Sequence, residues 1–224
     1  MADIAPAHPA ATVVLLRDKE PCCEVLLVRR NSQLAFHGGA WVFPGGRIDP
    51  EDYGAERDVV AAARRAAVRE AAEEAGVAIA LEDLRLISRW ITPEPLPKRF
   101  DTWFFVAPAQ NQSVQIDGQE IQAHRWFRPD EALSAFERGE IDLPPPTFVT
   151  LLKLSRLGAL AEILRTYEGE AVEEFLPRLR RSEDAAYTLY EGDVAYDGAD
   201  VDAPGRRHRL RMVGTQWSYE KDEE

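Results

Sequence analysis

Phe43-Pro44-Gly45-Gly46, followed after a spacer by Arg69-Glu70-Ala71-Ala72-Glu73-Glu74-Ala75-Gly76-Val77, decides how the rest of this chain is read. Glu70, Glu73 and Glu74 stand at i, i+3 and i+4, so on a helix their side chains converge on one patch. The segment Asp58–Ala75 predicts that helix: it is alanine-rich, and Gly76 suits a left-handed cap at its end. Three like charges so close weaken an isolated helix, and a divalent cation reverses that cost. Carboxylate oxygens suit Mg²⁺ or Mn²⁺, and Mg²⁺ binds typically through a few carboxylates, waters and substrate phosphate oxygens. Gly45 and Gly46, lacking Cβ, let the main chain approach a ligand closely. The pattern points to metal-assisted chemistry on a phosphate compound.

These residues resemble the Nudix box: a glycine, a spacer, then Arg-Glu-hydrophobic-x-Glu-Glu-x-Gly-hydrophobic. Arg69, Glu70, Glu73, Glu74, Gly76 and Val77 all fall in place. The resemblance implies an α/β/α sandwich with a mixed sheet, and hydrolysis of a nucleoside diphosphate linked to another group. It implies metal held by Glu70, Glu73 and Glu74, joined by a carbonyl of the turn, that of Gly45. Arg69 would brace the box by orienting a metal-binding carboxylate, and it lies an i, i+4 step from Glu73. Glu120 stands where many Nudix enzymes carry a further metal-binding or base glutamate, with Asp117 as a competing candidate. Glu73 and Glu120 are therefore the alternatives for the base that takes the proton of the attacking water. Two departures stand out. The family's glutamate eight residues before the arginine is here Ala61, and the spacer is longer than usual. Glu51, Glu56 and Asp58 are the candidates in that spacer to replace the missing carboxylate.

A second resemblance covers Leu26–Gly46, which is similar to a signature of coenzyme A diphosphatases within the family. Arg30, Gly39 and Phe43–Gly46 match in register, whereas Val28, Asn31 and Ala35 depart, the last standing where the signature has an arginine. Thr92–Thr102, the Pro144–Thr147 run and Arg206-Arg207-His208-Arg209 resemble segments of the longer acyl-coenzyme A diphosphatases. Arg30, Gly46, Lys98 and Arg99 are the candidate substrate contacts. Lys98 and Arg99, presented after three prolines, would hold phosphates or else be solvated loop charges. For Arg206–Arg209 the favoured reading is balance of the acidic tail. Trp90, Trp103, Phe104 and Phe105 read as core, and Trp41 or Phe36 could stack on a base. The implied products are 3′,5′-ADP and a 4′-phosphopantetheine derivative. The rivals are cleavage of ADP-ribose, NADH or another nucleoside diphosphate derivative, and a non-catalytic nucleotide-binding sensor with the same fold.

The whole chain is compatible with this chemistry. Its 224 residues, 45% hydrophobic and 29% charged, suit an ordinary globular protein with a substantial core. A net charge of −12 argues against nonspecific binding to nucleic acid or an anionic membrane. Neither a membrane-length apolar run nor a signal-peptide pattern is seen, so a cytoplasmic location is expected. The two cysteines, Cys22 and Cys23, are adjacent and read as reduced thiols, and the four histidines lack zinc spacing. The partner expected is a nucleotide-derived small molecule, and a homodimer is left open.

Along the chain, residues 1–10 read as a frayed N-terminus, 11–143 as the hydrolase domain and 144–224 as a mostly helical extension packed on it. Strands are expected at Ala11–Arg17, Glu24–Arg30, Trp41–Phe43, Leu84–Ile91, Phe100–Val106 and Glu120–Phe127. Pro129 fits a helical first turn. Helices are expected at Phe148–Leu157 and Leu160–Tyr167, with Ala171–Leu176 as a third, and His208–Val213 is strand-like.

Overall fold

A computed structural model describes residues 4–20, 22–33, 37–55, 57–109, 112–116, 118–169 and 172–222. Its elements are β1 (Ala7–Lys19), β2 (Cys22–Arg30), β3 (Trp41–Val42), β4 (Gly45–Arg47), α1 (Val59–Ala75), β5 (Arg85–Ile91), β6 (Arg99–Pro108) and β7 (Ile121–Phe127). They continue with α2 (Pro129–Glu137), α3 (Pro145–Leu154), α4 (Leu160–Thr166), β8 (Glu173–Phe175), β9 (Arg178–Arg181), β10 (Ala186–Leu189), β11 (His208–Val213) and β12 (Gln216–Lys221).

The central sheet runs β3-β2-β1-β6-β5-β8, with β4 joined to β1 and β7 to β2. β1 pairs with β6, and β5 with β8, in parallel, and the other pairs are antiparallel. Period-2 alternation divides the sheet between two cores. Val13 and Leu15 of β1, Leu26 and Val28 of β2, and Trp103 and Phe105 of β6 face α1. There α1 presents Ala62, Ala63, Ala66, Ala67, Ala71 and Ala75, a stripe of small side chains that lets the helix axis lie close to the sheet. The intervening residues Val14, Leu16, Val25, Leu27, Phe104 and Val106 face α2, α3 and α4. The result is the expected α/β/α sandwich with a mixed sheet.

α1 has clear ends. Asp58 caps its N-terminus by accepting from the Ala61 N–H at 2.6 Å, and Gly76 takes the left-handed conformation, φ 65°, after its last turn. The Pro-Gly-Gly run is more than a turn. Gly45 and Gly46 begin β4 and pair with Thr12 and Ala11 of β1, which fixes both glycines beside the helix.

Three expectations are modified by the structure. The extension is mostly strands, not mostly helices: β9 to β12 form a second sheet in the order β12-β11-β10-β9. In the segment Ala171–Leu176, expected as a third helix, residues 173–175 instead form β8, parallel to β5, and Ala171 lies outside the described residues. The reason is tertiary, because Phe175 stacks on Trp90 with centroids 3.8 Å apart and planes at 4°. Within the expected frayed segment 1–10, of which residues 1–3 lie outside the described residues, Ala7–Ala10 belong to β1, which runs beside β6 from the pair Ala7–Arg99. The core crosses the boundary at residues 143 and 144: Phe148, Leu151, Phe175, Tyr190 and Leu210 share one cluster with Val14 and Phe104.

Candidate active site

The site forms where α1 crosses the start of β4. Glu70 and Glu74 are buried, at 9% and 7% exposure, and both lie against the glycine pair. Glu74 Oε2 accepts from the Gly45 N–H at 2.9 Å. A Cβ on Gly46 would stand 2.3 Å from Glu70 Oε1, and one on Gly45 would stand 2.5 Å from the Ala11 carbonyl. Gly45 therefore requires glycine, because neighbouring main chain occupies the space, and a side chain at Gly46 would have to displace the Glu70 carboxylate.

Burial sets the electrostatics of this pair. Desolvation raises Glu74 to about 8, opposed in part by the Gly45 N–H and by Arg30 and reinforced by Glu70 and Glu120. Burial likewise raises Glu70, against the pull of Arg69. Two desolvated carboxylates with so few donors are a costly arrangement that a divalent cation would relieve. Oxygen donors are also the ligand type that Mg²⁺ and Mn²⁺ prefer, so the residues present fit such an ion. Among the described residues, no three acidic or histidine side chains are already gathered around one point. Glu73 explains this: it is 58% exposed and turned outward to Arg69 Nη1 at 3.0 Å.

Arg69 is the hub. Its guanidinium donates to Glu70 Oε1 at 2.8 Å, Glu73 Oε2 at 3.0 Å, the Arg47 carbonyl at 2.9 Å and Asp52 Oδ2 at 2.9 Å. It thereby ties both glutamates to the main chain leaving the glycine turn. Asp52 was not among the candidates read from the sequence. It sits in a 3₁₀ turn, Pro50–Asp52, with its side chain 7% exposed, and it also accepts from the Asp49 N–H at 2.9 Å. Of the carboxylates that were candidates, Asp58 is the helix cap, Glu51 is exposed, and Glu56 lies outside the described residues. Counting forward from Gly46, before the spacer lengthens, would have reached Asp52; counting back from Arg69 reached Ala61.

On the other side of Glu74, β2 and β7 bring Arg30 and Glu120 together, Nη2 to Oε2 at 4.0 Å. Glu120 is 63% exposed, whereas Arg30 has a buried Nε without a hydrogen-bond partner among the described residues. Asp117, Ala35 and Phe36 fall outside those residues. Lys98 is exposed, with Nζ 5.4 Å from the centre of the Phe100 ring. Arg99 corrects an expectation. It is 8% exposed and donates to the carbonyls of Thr92 at 3.0 Å and Ala5 at 2.7 Å, so it pins the N-terminal segment and is not presented to substrate. The Arg206–Arg209 run also divides. Arg209 is buried against Asp193 at 2.6 Å, and the Arg207 N–H reaches Asp222 of the tail. Trp90, Trp103, Phe104 and Phe105 are core, and Trp41 packs edge-on against Phe127.

A sequence model of the NUDIX domain matches residues 6–147. The acyl-coenzyme A diphosphatase NUDT19 of Homo sapiens is 32% identical over 115 residues, covering 49% of this chain and 31% of that protein. Its Xenopus laevis counterpart is 29% identical over 133 residues, or 55% and 34% of the two chains. The match thus spans about a third of these relatives' length. Among solved structures, a NUDIX hydrolase from Alicyclobacillus acidocaldarius superposes with a TM-score of 0.67 and 27% identity, covering 75% of this chain and all of that one. A MutT NUDIX hydrolase from Burkholderia pseudomallei, at 20% identity and TM-score 0.51, covers 66% of this chain and 98% of its own, and shares the fold. Among the described residues, no helix is long and apolar enough to cross a membrane.

Proposed function

Because the chain belongs to the Nudix family, we propose that it hydrolyses the diphosphate linkage of coenzyme A or an acyl-coenzyme A. The products are 3′,5′-ADP and 4′-phosphopantetheine or its acyl derivative. The observation that carries the substrate choice is the match to relatives named acyl-coenzyme A diphosphatases. The Leu26–Gly46 signature supports it from within the sequence. Support for the reaction type comes from the site, where Glu70 and Glu74 stand desolvated against a glycine pair whose missing Cβ atoms let the carboxylate and the strand approach so closely.

The residues divide the work as follows. Glu70, Glu73 and Glu74, with the Gly45 carbonyl, would hold Mg²⁺ or Mn²⁺. When bound, such an ion neutralises charge on the diphosphate and makes the attacking water more acidic. Glu73 must exchange its contact with Arg69 to join the buried pair, while Arg69 keeps Glu70 in place through Asp52. Glu73 or Glu120 takes the proton of the attacking water, and both are exposed enough to reach solvent. Arg30 and Lys98, with the main chain at Gly46, contact substrate phosphates, and the charge of Arg30 that acts on Glu74 supports this reading for Arg30.

Turnover of coenzyme A, an acyl-coenzyme A, ADP-ribose and NADH with Mg²⁺ or Mn²⁺ tests this, beside Glu73→Gln and Glu74→Gln controls. Release of 3′,5′-ADP by the parent, lost in the controls, is the expected result. Cleavage confined to ADP-ribose or NADH would keep the reaction and remove the substrate, and tight nucleotide binding without turnover would favour the sensor.

A further inference from the structure

The second sheet lies wholly beyond residue 147, where the match to the NUDIX domain ends, and β9 is one of its two end strands. The ladder fixes which way the backbone of β9 points. The Tyr190 N–H bonds to the His208 carbonyl at the start of β11, so by alternation Thr188 and Ala186 also bond to β11. Tyr187 and Leu189 are left to bond Arg180 and Arg178 of β9. The N–H and C=O groups of Leu179 and Arg181 are therefore directed off the sheet. Beside them, Leu179 is 42% exposed and Leu176 38%, an apolar pair at an open edge. The charges along this edge are of both signs. Arg178 and Arg180 share the face of Tyr187 and Leu189, where Arg178 holds Asp197 at 2.8 Å and lies 4.1 Å over the Tyr196 ring. Arg180 has no carboxylate partner among the described residues, and its Nη1 turns back to the Leu179 carbonyl at 3.1 Å. A cleft of about 520 Å³, lined by Arg180, Arg181, Asp200 and Asp202, keeps the basic strand and the acidic loop apart.

We propose that β9 is the contact edge of a symmetric homodimer, with Leu179 of each copy paired to Leu179 of the other across a two-fold axis. A strand that pairs antiparallel with its own copy places one residue on the axis, and an outward-directed residue there exchanges both backbone hydrogen bonds with its mate. Leu179 suits that place. It is apolar and exposed, whereas Arg181 on the axis would set two guanidinium groups face to face. With Leu179 central, Arg180 stands opposite the partner's Arg178. The like charges of that pair are offset by the partner's Asp197, which is 87% exposed and has room for a second guanidinium. An edge guarded by charge of one sign repels its copy. This edge instead brings an unpaired guanidinium to a carboxylate only partly used, so the surface complements itself under two-fold symmetry. The two four-stranded sheets then run on as one.

Sedimentation of the full chain between about 2 and 200 µM tests the interface, since a short contact edge implies a dissociation constant on the order of 10–100 µM. The parent should pass from monomer to dimer across that range. Leu179→Asp sets two carboxylates against each other on the axis and should weaken the dimer at least about tenfold, with unchanged circular dichroism as the check on folding. The register has its own test in Leu179→Cys. Hydrogen-bonded partners lie about 5.5 Å apart at Cα, within disulfide reach, so this variant should form a covalent dimer under mild oxidation. Arg181→Cys should not, because two residues of offset on each strand put the two Arg181 positions roughly 13 Å apart. A monomer at every concentration would overturn the proposal. So would a dimer that Leu179→Asp leaves intact and Leu179→Cys does not cross-link, since the contact would then lie on another surface.

Discussion

Replacing Glu74 with glutamine should make the metal-free protein more stable at pH 8, although it should abolish catalysis. Burial holds the Glu74 carboxyl at about 8, against an ordinary value of 4.5. A carboxyl raised in the fold keeps its proton there while the unfolded chain has lost its own. Stability therefore falls as pH rises from about 5 to 8, the reverse of the usual salt-bridged acid. Each pH unit of that window costs about 1.4 kcal/mol, so the parent should lose about 3 kcal/mol through this one group between pH 5 and 8. For a chain of this size that is about 6–12 °C in melting temperature. Glutamine keeps an oxygen for the Gly45 N–H and carries no charge. Urea melts in chelator, followed by tryptophan fluorescence at pH 5 and pH 8, give the comparison. The variant should be about 3 kcal/mol more stable than the parent at pH 8 and close to it at pH 5. Parallel pH profiles for the two proteins would falsify the claim that Glu74 is desolvated against the turn. Saturating Mg²⁺ should erase the parent's deficit, because a ligated carboxylate no longer bears the cost of its isolation.

Gly46→Ala would place a Cβ 2.3 Å from Glu70 Oε1, so turnover should fall at least about 100-fold while thermal melting shifts by only about 1–3 kcal/mol. Asp52→Ala removes the buried anchor of Arg69 and should lower kcat about 10- to 100-fold and raise the Mg²⁺ concentration needed for half-maximal rate, with Asp52→Glu recovering part of both. Equal kcat in parent and Asp52→Ala would show that Arg69 is held well enough by the Arg47 carbonyl. Asp193→Ala strands Arg209 in the second sheet, and denaturant melts should show a loss of about 3–5 kcal/mol. Hydrogen bonds from Arg209 and from the His208 and Ala195 N–H groups outweigh burial and hold Asp193 below the usual carboxylate range. Its stabilisation is thus complete above that range and is lost as pH falls through its own lowered value, so the parent should show an acid limb that Asp193→Ala lacks.

The sequence alone determined the box helix, its glycine cap, the glycine pair and the carboxylates of the candidate site. Those features are local: an i, i+3, i+4 spacing, a residue lacking Cβ, and a cap each act within a few residues, so their meaning survives without the fold. Tertiary structure decided what depends on distant partners. Arg99 reads as a loop cation until Ala5, 94 residues away, offers its carbonyl. Glu173–Phe175 reads as helix until β5 supplies a strand to lie beside and Trp90 a ring to stack on. Asp52 becomes the anchor of Arg69 only because the irregular spacer folds its Pro50–Asp52 turn back against α1, bringing Asp52 Oδ2 to 2.9 Å from Arg69 Nη2. The same folding turns two glutamates inward and one outward, a difference that burial creates and that three identical side chains on one helix face do not show.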